Sequence, residues 1–169
     1  MADRASSVFD PYAILAALEG QRVTFVVIGA FARVIHGTGE ITNGIDITPS
    51  TREENLARLT KALVELDARR RGDGKVIDLG QLREPVVEFD TRAGELKLVA
   101  EPAGTRGYDD LRRHAERQPL GQGVRPSVAS PGDLARMLGA LEREHEIPIL
   151  LRLRRLIELD RGRGLYLGR

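Results

Sequence analysis

The stretch between residues 21 and 50 constrains the fold of this 169-residue chain more than any other part of it. An apolar run rich in β-branched residues, Val23–Ile28, predicts a buried strand. An amphipathic run then predicts a short helix over Phe31–His36, and Ile45–Thr48 predicts a second strand that carries one acidic residue, Asp46. Such an arrangement can place the N–H groups of a helix N-terminus opposite a carboxylate. The first can hold a phosphate, and the second can hold a metal that bridges to it.

Several residues of this stretch also match the signature of a known family. The chain resembles nucleotidyltransferase-fold proteins, in particular the toxin-like AbiEii/MNT-type group. The matching residues are Gly29, Ala32, His36, Gly37, Thr42, Ile45 and Asp46. The chain departs from the signature at three positions: Ala30 replaces Gly or Ser, Glu40 replaces Arg, and Gly44 replaces the first catalytic Asp.

The resemblance implies a catalytic scheme that this chain only partly retains. Nucleotidyl transfer uses two divalent cations, which the family holds with two Asp residues on one strand and a third on a neighbouring strand. Here Asp46 remains from the pair, and Lys97 stands where the third Asp belongs. Leu138 stands where the toxin-like group has a Lys after its Met, while Arg143 and Glu146 lie near that group's later Arg and acidic positions.

The resemblance assigns roles to specific residues. Asp46 and Lys97 are the catalytic candidates, and Asp46 is also the metal-ligand candidate. Gly29, Ala30 and Thr42 are the candidates for contacting the nucleotide phosphates. We expect the ammonium of Lys97 to replace a lost cation and to lie within about 6 Å of the Asp46 carboxylate, the range in which opposite charges stabilise each other.

Structural interpretations of the same residues stay open. Gly29 with Ala30 also fits a tight strand-to-helix turn, and Thr42 also fits the cap of a loop. His36 is better interpreted as a structural histidine than as a base or a ligand. Glu88 and Asp90, at alternate positions of one predicted strand, are either a substitute carboxylate pair or part of a solvated face.

Three functions follow from these alternatives. The first is a nucleotidyltransferase-fold protein whose catalysis is lost or impaired, which binds a nucleotide, an RNA such as tRNA, or an antitoxin-like protein partner. The second is an active enzyme with Mg²⁺ and NTP as cofactors, in which Glu88 or Asp90 aids Asp46. The third is a partner-binding or scaffold domain with no cofactor.

Composition limits the class of protein and its expected location in the cell. The net charge of +1 gives no global field that favours nucleic acid or membrane, although Arg152, Arg154 and Arg155 form either an RNA-contacting or a solvated helix face. The absence of cysteine excludes disulfides and thiolate metal sites and fits a cytoplasmic protein, and no signal peptide or membrane span is expected. We expect a single domain over residues 1–169, with its core at about residues 8–160.

The predicted fold class is α/β (α+β), with a mixed sheet flanked by helices. Helix starts are predicted at Asp10-Pro11, at a capping box of Ser50 and Thr51 with Glu53 and Glu54, at Tyr108, at Ser130-Pro131 and at Pro148. Further strands are predicted over 75–79, 85–90, 95–100 and 124–129, with a hairpin turn at 91–94. The helix from Ser50 is expected to end near residues 67–71, and the helix from Tyr108 at residue 117. The last helix is expected to end at Gly162–Gly164.

Overall fold

A mixed sheet of seven strands forms the centre of the structure, a computed structural model that describes residues 8–75, 79 and 83–167. The strands are β1 (Phe25–Ile28), β2 (Gly44–Pro49), β3 (Arg69–Arg70), β4 (Val86–Thr91), β5 (Gly94–Val99), β6 (Glu116–Arg117) and β7 (Ser127–Val128). Their order across the sheet is β3-β4-β5-β2-β1-β7-β6. The pairs β2–β5 and β1–β7 are parallel, and the other pairs are antiparallel.

Helices flank this sheet, which confirms the predicted fold class. They are α1 (Pro11–Gly20), α2 (Gly29–His36), α3 (Glu53–Glu65), α4 (Tyr108–Leu111), α5 (Pro131–Leu141) and α6 (Ile147–Leu167), with a 3₁₀ turn at Glu144–Glu146. No helix in the described ranges is both long enough and apolar enough to cross a membrane.

Strand alternation separates an apolar face of the sheet from a charged one. Ile45 and Ile47 on β2 are fully buried, as are Leu96 and Leu98 on β5. Since neighbouring side chains on a strand point to opposite faces, the residues between them lie on the other face. This arrangement places Asp46 and its neighbours on the charged face.

Two helix starts have the predicted caps. The side chain of Asp10 accepts a hydrogen bond from the Ala13 N–H, and Pro11 follows at the first helical position. Ser130 caps α5 in the same way, since its hydroxyl accepts from the Asp133 N–H at 3.1 Å. The hairpin turn is also confirmed, because Thr91 and Gly94 are the last pair of the β4–β5 ladder.

The capping box predicted for α3 is wrong. The N-cap residue is Arg52, and no side chain caps the helix. Instead Asn55 ties the preceding segment to β1: its amide donates to the carbonyl oxygens of Ser50 and Thr24 and accepts from the Thr24 N–H. Anchoring by Asn55 therefore takes the place of a helix cap.

Long-range strand pairing overrides two predicted helix ends. The helix from Tyr108 stops at Leu111 rather than at residue 117, because Glu116–Arg117 pairs with β7 as a short strand. Likewise α3 stops at Glu65, because Arg69–Arg70 pairs with β4.

The strands predicted over 124–129 and 75–79 also need correction. The first is confined to Ser127–Val128, while Val124 bridges to Gly121 in a turn. Of the second, residues 76–78 lie outside the described residues, and Lys75 and Leu79 are not in a strand.

The end predicted for the last helix is wrong as well. The helix continues through Gly162 to Leu167, because Gly162 does not adopt the left-handed backbone that ends a helix. Leu141 is 40% exposed at the C-terminal end of α5.

Candidate functional site

The register of the sheet brings Asp46 and Lys97 side by side on the charged face. Asp46 lies opposite Ile28 on β1 and opposite Lys97 on β5, and Lys97 in turn lies opposite Glu88 on β4. The Nζ of Lys97 is 3.7 Å from Oδ2 of Asp46, with 37% and 32% of the two side chains exposed. This separation is within the expected range, so the two candidate residues form an ion pair. The role of Lys97 as a replacement for a cation stays a prediction.

Gly29 makes room for the Asp46 carboxylate at the start of α2. Its backbone is left-handed, with a φ of +70°, and a Cβ built there would overlap Oδ2 of Asp46. No side chain caps the first turn of α2, which begins directly after Ile28, the residue that lies opposite Asp46. The strand-to-helix turn is therefore present, and phosphate contact by Gly29 and Ala30 stays a prediction.

The environment of Asp46 disfavours its charged form. Burial raises its pKa, and Lys97 and then Arg33 lower it by charge, while Glu88 adds to the rise. The sum leaves the pKa of Asp46 above its ordinary value. A single ammonium neighbour thus compensates only part of the cost of placing this carboxylate in a half-buried position.

Gly44 lies at a point where β2 and β5 approach each other closely. A Cβ built on Gly44 would be 2.5 Å from the carbonyl oxygen of Glu95 and 2.7 Å from its Cβ. The first carboxylate of the family's pair therefore has no room here unless the strands move apart. The hydroxyl of Thr42 donates to the carbonyl oxygen of Gly44 at 2.9 Å, as the loop-capping alternative requires. Phosphate contact by Thr42 stays a prediction.

Glu40 forms a buried structural contact that sequence reasoning missed. Arg33 donates to both of its carboxylate oxygens, at 2.9 and 2.8 Å, and the Thr38 hydroxyl donates at 2.7 Å. Burial alone would raise the pKa of Glu40, but these hydrogen bonds and the nearby charges hold it below its ordinary value. Arg152 on α6 donates to the Thr38 carbonyl oxygen, so the segment after α2 is held from two sides. The only sequence signal was that an acid replaces the family's Arg.

The substitute carboxylates, Glu88 and Asp90, are occupied by an arginine. Arg71 lies 3.3 Å from Glu88 and 3.0 Å from Asp90, and 2.7 Å from Glu95 on the adjacent strand. These contacts are exposed and lie on the same face as Asp46, with Lys97 between Asp46 and Glu88. The sequence gives no sign that Arg71 would contact these carboxylates, because they are far from it along the chain.

The donor set does not fit the two cations that the family uses. In residues 8–75, 79 and 83–167, no three His, Asp or Glu side chains are grouped so as to hold a metal ion. Asp46 is the remaining member of the expected set, Gly44 cannot contribute a ligand, and Lys97 brings a positive charge to the third position. A site for two cations needs several carboxylates to offset their charge.

Other positions of the signature serve the core. Leu138 is 4% exposed and Met137 is 7% exposed, so both pack inside the domain. The Nε2 of His36 lies 2.9 Å from the carbonyl oxygen of Ala129, a contact that fits the structural interpretation of this histidine. Arg143 and Glu146 form an ion pair with each other at 3.4 Å.

Comparisons with known proteins identify the fold. The lincosamide antibiotic adenylyltransferase LnuA, in its lincomycin-bound form, is similar over 88% of this chain and 98% of its own, with a TM-score of 0.60 and 11% identity. The antibiotic-resistance factor ANT(2'')-Ia is similar over 93% of this chain and 92% of its own, with a TM-score of 0.54 and 15% identity. The chain has the nucleotidyltransferase fold. No protein-family model and no curated protein matches it, and the AbiEii/MNT-type assignment stays a prediction.

Proposed function

We propose that this chain is a nucleotidyltransferase-fold protein that has lost metal-dependent nucleotidyl transfer and acts by binding. The observation that carries the proposal is the ion pair between Lys97 and Asp46, with its 3.7 Å separation. The ammonium lies beside the one carboxylate that remains from the expected metal-ligand set. A divalent cation bound by Asp46 would therefore be repelled by a positive charge only a few ångströms away.

Gly44 supports the same conclusion from the other side of Asp46. A side chain at this position would meet the backbone of Glu95. The space that the expected carboxylate would need is therefore filled by the closely packed neighbouring strand. Two of the three ligand positions have thus changed in ways that oppose metal binding, one by charge and one by shape.

The binding partner follows from the resemblance rather than from the geometry. If the chain belongs with the toxin-like group, its protein partner is an antitoxin-like protein. The ligand of the face that carries Asp46 is then a nucleotide or an RNA. The predicted nucleotide contacts are the N–H groups at Gly29 and Ala30, together with Thr42. The protein would act in the cytoplasm.

The test measures transfer and binding separately. The full chain, the Asp46→Ala variant and the control Asp160→Ala, which removes an exposed carboxylate on α6, are incubated with each labelled NTP, Mg²⁺ and bulk tRNA. An active nucleotidyltransferase serves as the positive control. The proposal expects no incorporation by any of the three. Incorporation that Asp46→Ala abolishes and Asp160→Ala preserves would overturn it in favour of an enzyme aided by Glu88 or Asp90.

Calorimetry then separates a nucleotide-binding protein from a scaffold. NTP is titrated into the chain with Mg²⁺ and with EDTA. Equal binding in both conditions supports a nucleotide site that works without metal. Binding that requires Mg²⁺ contradicts the proposal. The absence of NTP binding limits the ligand to RNA or a protein partner.

A further inference from the structure

Three adjoining depressions form a groove around Tyr108, at the end of the sheet where β1 begins. Tyr108, the first residue of α4, lines all three. Thr24 lines two of them, and the largest has a volume of about 440 Å³. Asp46 lies opposite Ile28, at the other end of β1, and neither of these residues lines any of the three depressions. The groove is thus distinct from the former catalytic site.

Arginine dominates the walls of this Tyr108 groove. Seven arginines and three acidic residues line the depressions, a formal excess of four positive charges. The whole chain carries a net charge of only +1, so the rest of it has a formal charge of −3. Positive charge is therefore concentrated on one surface of a nearly neutral protein, as in proteins that bind the phosphate backbone of nucleic acids.

Most of these arginines form no ion pair within the part of the chain that the structure describes. Arg52 directly before α3, Arg58 on α3, Arg22 before β1 and Arg117 on β6 are exposed. None of these four forms an ion pair with another described residue. Arg112 contacts Asp109 in a highly exposed pair, which contributes little. Some arginines elsewhere in the described chain are used differently. Arg33, Arg71 and Arg136 all pair with carboxylates.

The acidic residues of the groove do not cancel this charge. Glu19 accepts a hydrogen bond from the backbone N–H of Arg125, which leaves the guanidinium of that residue available. Glu54 is exposed in the first turn of α3, where it faces the positive end of the helix.

Tyr108 adds an aromatic surface between the arginines. It is half-buried against the core, and Arg112 and Arg113 follow four and five residues later in the chain. An aromatic ring held between guanidinium groups can stack on an unpaired base while the guanidinium groups contact phosphates. Bases of a duplex are stacked inside the helix and cannot enter such a depression. The combination therefore favours a single strand over a duplex.

We propose that the Tyr108 groove binds single-stranded nucleic acid, with the exposed arginines on the phosphates and Tyr108 stacked on a base. The proposal does not depend on the loss of catalysis, because it uses none of the residues near Asp46. With about four phosphate contacts, each contributing about 0.7, log K should fall against log salt with a slope of about −3.

The test is fluorescence anisotropy with a labelled 12-nucleotide oligouridylate, an oligothymidylate of equal length and a 12-base-pair RNA duplex. The double variant Arg52→Ala/Arg58→Ala should weaken binding about tenfold and reduce the salt slope by about 1.4, since two phosphate contacts are lost. The control Arg92→Ala/Arg161→Ala removes the same charge from exposed positions outside the groove and should leave binding unchanged. Circular dichroism melting confirms that both variants fold.

Substitution of Tyr108 tests the stacking contact. Tyr108→Phe keeps the ring and should bind like the unmodified chain, whereas Tyr108→Leu should lose at least about fivefold. RNA and DNA strands are separate arms of the test, and tight binding of either supports the proposal. It is overturned if neither strand binds, if the duplex binds equally well, if polyglutamate competes as strongly as oligouridylate, or if the Arg92→Ala/Arg161→Ala control loses as much affinity as the groove variant.

Discussion

The carboxylate of Asp46 occupies the space that a side chain at Gly29 would need. Gly29 has a left-handed backbone at the junction of β1 and α2, and a Cβ at this position would overlap Oδ2 of Asp46. Glycine is required here both by its φ angle and by the close approach of the acid. The turn and the acid therefore form one unit, in which a side chain at residue 29 and the present position of the Asp46 carboxylate exclude each other.

Gly29→Ala should destabilise the protein by about 2–4 kcal/mol. The left-handed backbone alone costs about 1–2 kcal/mol in a residue with a Cβ, and the overlap with Asp46 adds to this. Urea unfolding measures the loss. Gly20→Ala is the control, because Gly20 ends α1 with open space around it, and alanine there should be neutral or stabilising by up to about 1 kcal/mol.

A second comparison isolates the contact with Asp46. In an Asp46→Gly background, Gly29→Ala should cost only the backbone term, so its effect should be smaller than in the unmodified chain. Equal losses in the two backgrounds would show that Asp46 does not constrain residue 29.

Gly44→Asp should destabilise the fold without restoring a metal site. The new Cβ would meet the carbonyl oxygen of Glu95 at 2.5 Å, and overpacking of this kind costs about 1–3 kcal/mol. Gly44→Ala should lose a similar amount, which assigns the effect to shape rather than to charge. Thermal unfolding with and without Mg²⁺ is the measurement. A variant as stable as the unmodified chain, and further stabilised by Mg²⁺, would contradict the steric argument.

The local parts of this site could be predicted from the sequence. The apolar run of β1, the glycine after it and the alternation of β5 are short-range patterns, and they place Asp46 and Lys97 correctly on neighbouring strands. The signature supplied the alignment that made Lys97 a candidate. Its contact with Asp46 then follows from the parallel pairing of β2 and β5.

The missed parts depend on contacts between distant residues. Nothing near Glu116–Arg117 marks it as a strand, and only its pairing with β7 makes it one. The Arg71 contacts and the arginines around Tyr108 are also assembled from separate segments. A net charge of +1 concealed this local excess of positive charge, because composition averages over the whole surface.

Asp46→Asn should become more stabilising, relative to the unmodified chain, as the pH rises. Because the folded pKa of Asp46 is raised, the unfolded chain loses its proton first, at about the ordinary value of 3.8. The unmodified protein therefore loses stability as the pH rises from that value through the folded pKa, and asparagine removes this loss. Urea unfolding of both proteins between pH 3 and pH 7 tests the sign. A difference that stays constant with pH would contradict it.

Lys97→Met should raise the pKa of Asp46 further. Lys97 is the largest charge that lowers this pKa, and methionine keeps much of the side-chain length without the charge. Carbon-detected NMR titration of the Asp46 carboxyl measures the shift, with Lys61→Met on the exposed side of α3 as the control. Since both partners are about one-third exposed, stability should change by less than about 1 kcal/mol. An unchanged pKa would remove the electrostatic role of Lys97.

Glu40→Gln should destabilise the protein by about 3 kcal/mol at neutral pH, because it leaves the guanidinium of Arg33 buried without a counter-charge. The side chains of Arg33 and Glu40 are each only 10% exposed, so water cannot replace the lost charge.

The effect of Glu40→Gln should depend on pH. The folded pKa of Glu40 lies below its ordinary value of 4.5, so the stability that the Glu40 carboxylate contributes is complete above that pH and disappears as the pH falls through the folded pKa. The difference in stability between the two proteins should therefore become smaller towards low pH. Urea unfolding from pH 2 to pH 7 follows this, with the exposed Glu101→Gln as a control that should differ by less than about 0.5 kcal/mol. A Glu40→Gln protein as stable as the unmodified chain at pH 7 would show that Glu40 does not hold the segment after α2.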